Sequence, residues 1–360
     1  MPGVAEELDL EGDITALLRA LIDTPSVSGD EAVIAGRVEA ALRPYPHLRV
    51  TRNDNVIVAR TELGRSERVV IAGHLDTVPI ARNVPSWVTE DGDGTRIWGR
   101  GACDMKGGVA VQLAAAARLA APNRDITWIF YDNEEVEEHR NGLNRLARER
   151  PEQLTGSFAI LCEPSNAQIE GGCQGTMRIE VELTGVAAHS ARSWMGHNAI
   201  HDAGAVLQRL AAYQPQQVEV DGLTYREGLN VVQITGGIAG NVIPDRCVIE
   251  VNYRFAPDKS PEQAEAHVRE VLAGYPVEVT DVAAGARPGL DRPAAADFLA
   301  AMGGKASAKF GWTDVARFAA LGIPAVNFGP GDPSKAHADD EFCPAADLLT
   351  CLDGLVRWLS

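Results

Sequence analysis

Residues 69–108 hold side chains suited to binding a metal ion. They read VVIAGHLDTVPI, then a polar excursion, then GRGACDMKGG. A β-branched run that halts at His74 and Asp76, followed by a Gly-rich turn carrying Asp104, sets an imidazole and carboxylates at the end of a buried strand. Two more apolar runs stop in the same way. Residues 126–131 (ITWIFY) give way to Asp132-Asn133-Glu134-Glu135, and residues 158–162 (FAILC) give way to Glu163-Pro164. A late loop, GPGDPSKAHADDEF, adds His337.

His74, Asp104, Glu134, Glu135, Glu163 and His337 together suit Zn²⁺ or a similar divalent ion. One ion takes about four ligands, so the set serves two ions if a carboxylate bridges them. His74 and Asp76 face the same side of an extended chain. Asp76 can then accept the second N–H of His74 and orient the ring. Glu134 and Glu135 are neighbours and cannot share one geometry. One can bind metal while the other serves a water as general base. Taken singly, each of these residues reads as solvated surface, or, for Asp104, as a helix N-cap. Their shared placement at strand ends carries the argument.

The elements that must position them follow from periodicity. Ile14–Ile22 and Ala32–Leu42 read as helices, with Ser28 and Glu31 as a capping box for the second. Residues 48–59 and 69–73 read as strands, with a turn at Asn53-Asp54-Asn55. Residues 82–97 form a hairpin or loop, and the Ala-rich run after Asp104 is a helix with Asp104 at its N-terminus. A helix over 141–150 follows. Alternating strands and helices predict a doubly wound α/β sheet, whose carboxyl strand ends line a ligand crevice.

After Gly175 the pattern changes. Residues 177–183 alternate apolar and polar, as in a strand with one wet face. A helix over 198–213, strands over 229–235 and 248–254, a helix over 260–272 and a strand over 277–279 complete a β-α-β-β-α-β, ferredoxin-like order. The expected organisation is a discontinuous catalytic domain, 1–175 and 285–360, with an inserted α+β domain at 176–284. The strand over 177–183 offers an edge for pairing with a second subunit. Helices near 293–302 and up to Leu321, a strand at 325–328 and a closing helix, Ala345–Leu359, return the chain to the first domain.

The length of 360 residues suits two domains. A net charge of −17, from 33 basic and 50 acidic residues, argues against nucleic-acid partners and against an anionic membrane surface. No apolar run approaches the ~20 residues that span a bilayer. The N-terminal MPGVAEELDLEGD lacks the apolar region of a secretory signal, so a cytoplasmic location is expected. The 6 cysteines form no CxxC pair and read as reduced, buried thiols.

AGHLDTVP, GRGACDMKGG, Glu134-Glu135, Glu163-Pro164, AAHSA, NVIPD and AHADDEF resemble, in order and context, the metallo-aminoacylase and carboxypeptidase family. The resemblance spans nearly the whole chain and implies that the inserted domain is a lid and dimerisation domain. It implies two Zn²⁺ per subunit, with Co²⁺ as a substitute. His74, Asp104 and Glu163 would bind one ion, and Asp104, Glu135 and His337 the other, with Asp104 bridging. Glu134 would be the general base in attack on an amide carbonyl. The family also implies a cis peptide after Asp104. His189, in AAHSA, resembles a lid histidine that reaches the partner subunit's site and donates to the oxyanion. Asn241 and Arg254 resemble substrate-binding residues, with Arg254 pairing to a substrate carboxylate. Thr313 and the loop from Gly329 to Gly331 would line the pocket.

The implied activity is removal of an acyl group from a small-molecule N-acyl amino acid by a homodimer. Glu at position 163 and the wording WMGHNAIH favour an N-succinyl diamino acid. N-acetyl amino acids or dipeptides are the alternative substrates, and a metal-free binding or scaffold protein on the same fold is the alternative from another class.

Overall fold

The structure is a computed structural model that describes residues 7–92 and 94–360. The signal-peptide expectation falls partly on residues 1–6, outside the described residues. The chain divides into two units: Met1–Gly171 with Gly289–Ser307 and Arg317–Ser360, and Gly172–Pro288 with Ala308–Ala316. The segment Ala308–Ala316, expected with the catalytic domain, thus groups with the second unit.

The first unit is built on an eight-stranded sheet. Its spatial order is Arg49–Asn53, Val56–Arg60, Asp125–Tyr131, Arg68–His74, Phe158–Leu161, Ala325–Asn327, Ile169–Gly171, Ala306–Ala308. The four strands from Asp125–Tyr131 to Ala325–Asn327 run parallel. Antiparallel pairs flank them, so the sheet is mixed rather than wholly doubly wound. The parallel strands are apolar along their length because helices cover both faces, which leaves no wet side. The helices Ile14–Ile22, Gly107–Arg118 and Ala345–Leu359 contribute to the same core.

Register decides where the strands end. His74 sits opposite Tyr131, and Ala72 opposite Leu161. Continued by two residues, the second pairing sets Glu163 level with His74. A small sheet of Trp87–Asp91, Gly94–Trp98 and Phe342–Pro344 anchors the loop that carries His337. The helix Gly107–Arg118 is buried from Gly107 to Ala117. It lies so close to the Glu163 strand that a Cβ on Gly108 would collide with the Cys162 carbonyl oxygen.

Two local expectations are corrected. Asp104 is not the helix N-cap: it lies in the preceding turn, Ala102–Lys106, at φ −118° and ψ 94°, and its peptide bond to Met105 is cis. Ser28 and Glu31 are not a capping box. Glu31 occupies the N-cap position of Ala32–Leu42 without a side-chain cap bond, and both side chains turn elsewhere. The Ser28 hydroxyl donates to Asp76 Oδ2 at 2.7 Å, and Glu31 accepts from the Gly29 N–H at 2.7 Å.

The second unit holds a four-stranded antiparallel sheet in the order Gly228–Gly236, Arg246–Phe255, Gly175–Thr184, Glu278–Ala283. Helices Ala199–Ala211 and Pro261–Val271 contribute to its apolar core. The strand expected at an edge, over 177–183, is paired on both sides. Alternation marked its one wet face correctly, but a wet face is not an open edge. The edges are Gly228–Gly236 and Glu278–Ala283. The hairpin Gln217–Val220 and Leu223–Arg226 was not foreseen. All six cysteines are free and buried. Among the described residues no helix is long and apolar enough to cross a membrane.

Candidate metal centre

Five donor residues converge at the carboxyl ends of the parallel strands. Asp104 stands between two imidazoles: its Oδ1 lies 3.1 Å from His74 Nε2 and its Oδ2 lies 3.3 Å from His337 Nε2. His74 Nε2 is also 4.0 Å from Glu163 Oε1, and His337 Nε2 is 2.9 Å from Glu135 Oε1. His74, Asp104 and Glu163 therefore form one triad and Asp104, Glu135 and His337 a second, each with donor atoms within 4.8 Å of one another. A third grouping of the same kind adds Glu134 to His74 and Glu135.

The electrostatics are those of a site built for cations. Burial opposes a charge on His74, but the Asp104 and Asp76 carboxylates outweigh it and hold its pKa well above the usual imidazole value. Bonds to Asp104 and Glu135 raise His337 to about 10. Burial acts against the charge on Asp104, yet the bonds from His337 and His74 keep its carboxyl below the usual carboxylate range. Burial raises Glu135. The carboxylates that favour a positive charge on the two rings would equally favour a divalent cation between them. Three carboxylates and two imidazoles, with one carboxylate offering an oxygen to each side, are a fitting donor set for a pair of such ions. His74 is 1 % exposed and His337 53 %, so the site opens on the His337 side.

Asp76 is fully buried but does more than orient His74. His74 Nδ1 lies 3.0 Å from the Asp76 carbonyl oxygen, whereas the Asp76 carboxylate stands 3.5 Å away. The carboxylate oxygens also accept the backbone N–H groups of Glu134 (2.9 Å) and Glu135 (3.1 Å). One side chain therefore fixes the turn that carries both glutamates. Gly329 touches the same region. Its N–H bonds the Ser165 hydroxyl at 3.0 Å, and a Cβ there would strike the Cys162 and Glu163 carbonyl oxygens.

The remaining candidates belong to the second unit. His189 and Asn241 sit on a two-stranded ribbon, Ala188–His189 with Val242–Ile243, where the Ser190 N–H donates to the Asn241 carbonyl at 2.9 Å. His189 Nδ1 accepts the Ala191 N–H at 3.0 Å. Arg254 is partly buried, donates to Asn252 at 3.2 Å, and is held below its usual pKa by burial and by Arg178. Thr313 is buried.

Sequence reasoning missed Glu341. It is 1 % exposed and accepts from Arg100 Nη1 (3.0 Å) and from the N–H groups of Gly101 (2.9 Å), Cys103 (3.1 Å) and Asp104 (3.1 Å). It thereby shapes the turn that aims Asp104. The signal was an acid four residues beyond His337, inside the AHADDEF motif.

A mixed α/β unit with paired carboxylate–imidazole triads at its strand ends is the scaffold of a metallohydrolase. The chain matches the description Peptidase family M20/M25/M40 over residues 70–360, and it belongs to that family. A succinyl-diaminopimelate desuccinylase of Corynebacterium glutamicum is 48% identical over 364 residues, covering 98% of each chain. A Mycobacterium tuberculosis protein with the same name, qualified there as provisional, is 54% identical over 355 residues, covering 98% of this chain and 99% of that one. Among solved structures, a tripeptidase of Staphylococcus aureus shares the fold at TM-score 0.79 and 20% identity, covering 98% of both chains. A Bacillus subtilis protein described as a dinuclear metal binding peptidase shares it at TM-score 0.69 and 17% identity, covering 97% of both chains.

Proposed function

We propose that this chain is a cytoplasmic two-zinc amidohydrolase that cleaves N-succinyl-LL-2,6-diaminopimelate to succinate and LL-2,6-diaminopimelate. The observation that carries the reading is the near full-length identity to relatives named for that activity, in a chain whose candidate ligands converge. His74, Asp104 and Glu163 would hold one ion and Asp104, Glu135 and His337 the other. When bound, the ions supply Lewis acidity toward the amide carbonyl and lower the pKa of the attacking water. Glu134, whose backbone is pinned by Asp76, accepts the proton of that water and delivers it to the leaving amine. Asp76 keeps His74 and the Glu134-Glu135 turn in place.

His189 is proposed as donor to the developing oxyanion, and Arg254, Asn241, Thr313 and Gly329 as substrate contacts. The second unit is proposed to be the lid and dimerisation domain. Its edge strand Gly228–Gly236 exposes Val232 (62%) and Ile234 (45%), with Ile238 (86%) beyond it, which suits an apolar contact with a second copy.

The test is hydrolysis by zinc-loaded protein of N-succinyl-diaminopimelate, N-acetylornithine and simple dipeptides. Preference for the succinyl substrate by about tenfold or more in kcat/KM supports the reading. Preference for either of the others overturns the substrate assignment. A protein that retains less than one zinc per chain and hydrolyses none of them overturns the enzymatic one. Light scattering that gives a monomer mass would remove the dimer.

A further inference from the structure

The loop before the second helix, residues 26–31, has the sequence of a helix cap but is not used as one. Glu31 is 0% exposed. Its Oε1 accepts the Gly29 N–H at 2.7 Å and the Asn133 N–H at 3.3 Å. Asn133 has a left-handed backbone, φ 57°, and immediately precedes Glu134. Asparagine enters that conformation more readily than other non-glycine residues, so what the surroundings supply is the placement of the turn. Ser28, three residues earlier, donates to Asp76 Oδ2, the oxygen that also receives the Glu135 N–H. The loop thus reaches the Glu134-Glu135 turn by two routes. Ser28 acts through Asp76 on residues 134 and 135, and Glu31 acts directly on residue 133.

A buried carboxylate here has a cost that stability alone does not explain. Burial, with Asp76 and Asp132 nearby, pushes the Glu31 carboxyl above its usual range. Its second oxygen, Oε2, is buried with no hydrogen-bond partner among the described residues. Ser or Asp at the N-cap would start the helix better than this arrangement does. Glu31 instead satisfies two backbone donors, one in its own loop at Gly29 and one in the turn at Asn133.

We propose that Glu31 is a positioning residue for catalysis: by accepting the Asn133 N–H it sets the left-handed turn that aims Glu134. This rests on the reading of Glu134 as the proton-transferring group. Aim matters because a general base displaced by about 1 Å can cost on the order of 100-fold in rate. The required property is an acceptor oxygen at the Oε1 position, not a negative charge.

The experiment compares Glu31→Met, which keeps the length and removes the acceptor, with Glu31→Gln, which keeps one oxygen. Both are measured as zinc-loaded protein, normalised to folded, metal-containing chains. Two readouts are taken: kcat and KM on the best substrate, and amide hydrogen exchange in the peptide covering 131–136. Glu31→Met is expected to lower kcat by about 10- to 100-fold with KM within about twofold. It is also expected to speed exchange at that turn while leaving the Arg68–His74 strand unchanged. Glu31→Gln is expected to restore most of both. Unchanged exchange in Glu31→Met overturns the proposal, as does faster exchange with unchanged kcat. A Glu31→Gln as impaired as Glu31→Met overturns the claim that an acceptor, not a charge, is needed. If the wild type hydrolyses none of the amides tested, the functional reading fails. Exchange then still decides whether Glu31 holds the turn.

Discussion

Glu341→Ala offers the sharpest test of how the turn that carries Asp104 is held. The wild-type carboxylate is buried beside Arg100, itself 3% exposed, and collects three backbone N–H groups from Gly101, Cys103 and Asp104. Burial pushes the Glu341 carboxyl above its usual range despite these bonds. A buried ion pair such as this one is worth little net while intact, because desolvation offsets its attraction. Breaking it is a different matter, because the remaining partners lose their acceptor without regaining water. Stranding one member of a buried ion pair costs about 3–5 kcal/mol, and each orphaned donor about 1–3 kcal/mol. These losses overlap, and water entering the cavity relieves part of them, so about 4 kcal/mol is expected for Glu341→Ala. The assay is urea unfolding of metal-free protein, followed by zinc content after dialysis against a weak chelator. The midpoint should fall with little change in slope. Asp104 should also lose its aim, so zinc retention should fall in the variant that remains folded. A change below about 1 kcal/mol with full zinc retention would refute the reasoning, since it would mean that the turn forms without this carboxylate.

Other outcomes follow from the same geometry. Glu134→Ala should abolish turnover while both metals are retained, because Glu134 is not in either triad that shares Asp104; metal analysis beside a rate assay checks this, and full activity would remove it as the base. His337→Ala should release about one metal per chain and keep the other, since His74, Asp104 and Glu163 remain; loss of both or neither would contradict two distinct sites. Lys106 is buried, donates to the Thr24 carbonyl at 2.9 Å, and is brought down by burial from 10.5 to about 7. Between those values the unfolded chain binds more protons than the folded one, so this group's contribution to stability rises with pH. The stability difference between wild type and Lys106→Met should shift toward wild type by about 2–3 kcal/mol between pH 7 and 9. A flat difference in urea titrations would refute the burial of a neutral amine.

Much was legible in the sequence because it is encoded locally. Helices such as Ile14–Ile22 and Ala345–Leu359 match their apolar spacing, and each central strand announces itself as a short apolar run ending in acids or histidine. Those runs are one-dimensional records of two-sided burial, and the residues that follow them are the donors the structure brings together. The β-α-β-β-α-β order of the second unit could likewise be read by counting elements.

Pairing and partner choice were decided only in three dimensions. Alternation in 177–183 reports a wet face but not which strands lie alongside, and the chain places that strand inside the sheet. Ser28 and Glu31 carry the spacing of a capping box, yet Ser28 donates to Asp76, and Glu31 caps no helix but accepts the N–H groups of Gly29 and Asn133. Spacing pairs Asp76 with His74, and the fold adds to the same carboxylate two N–H groups that lie 58 and 59 residues away. Glu341 reaches the Asp104 turn from 237 residues on. Sequence spacing limits what a side chain can reach within its own element. A buried carboxylate goes wherever folding leaves unsatisfied donors, and that depends on which distant segments the core packs together.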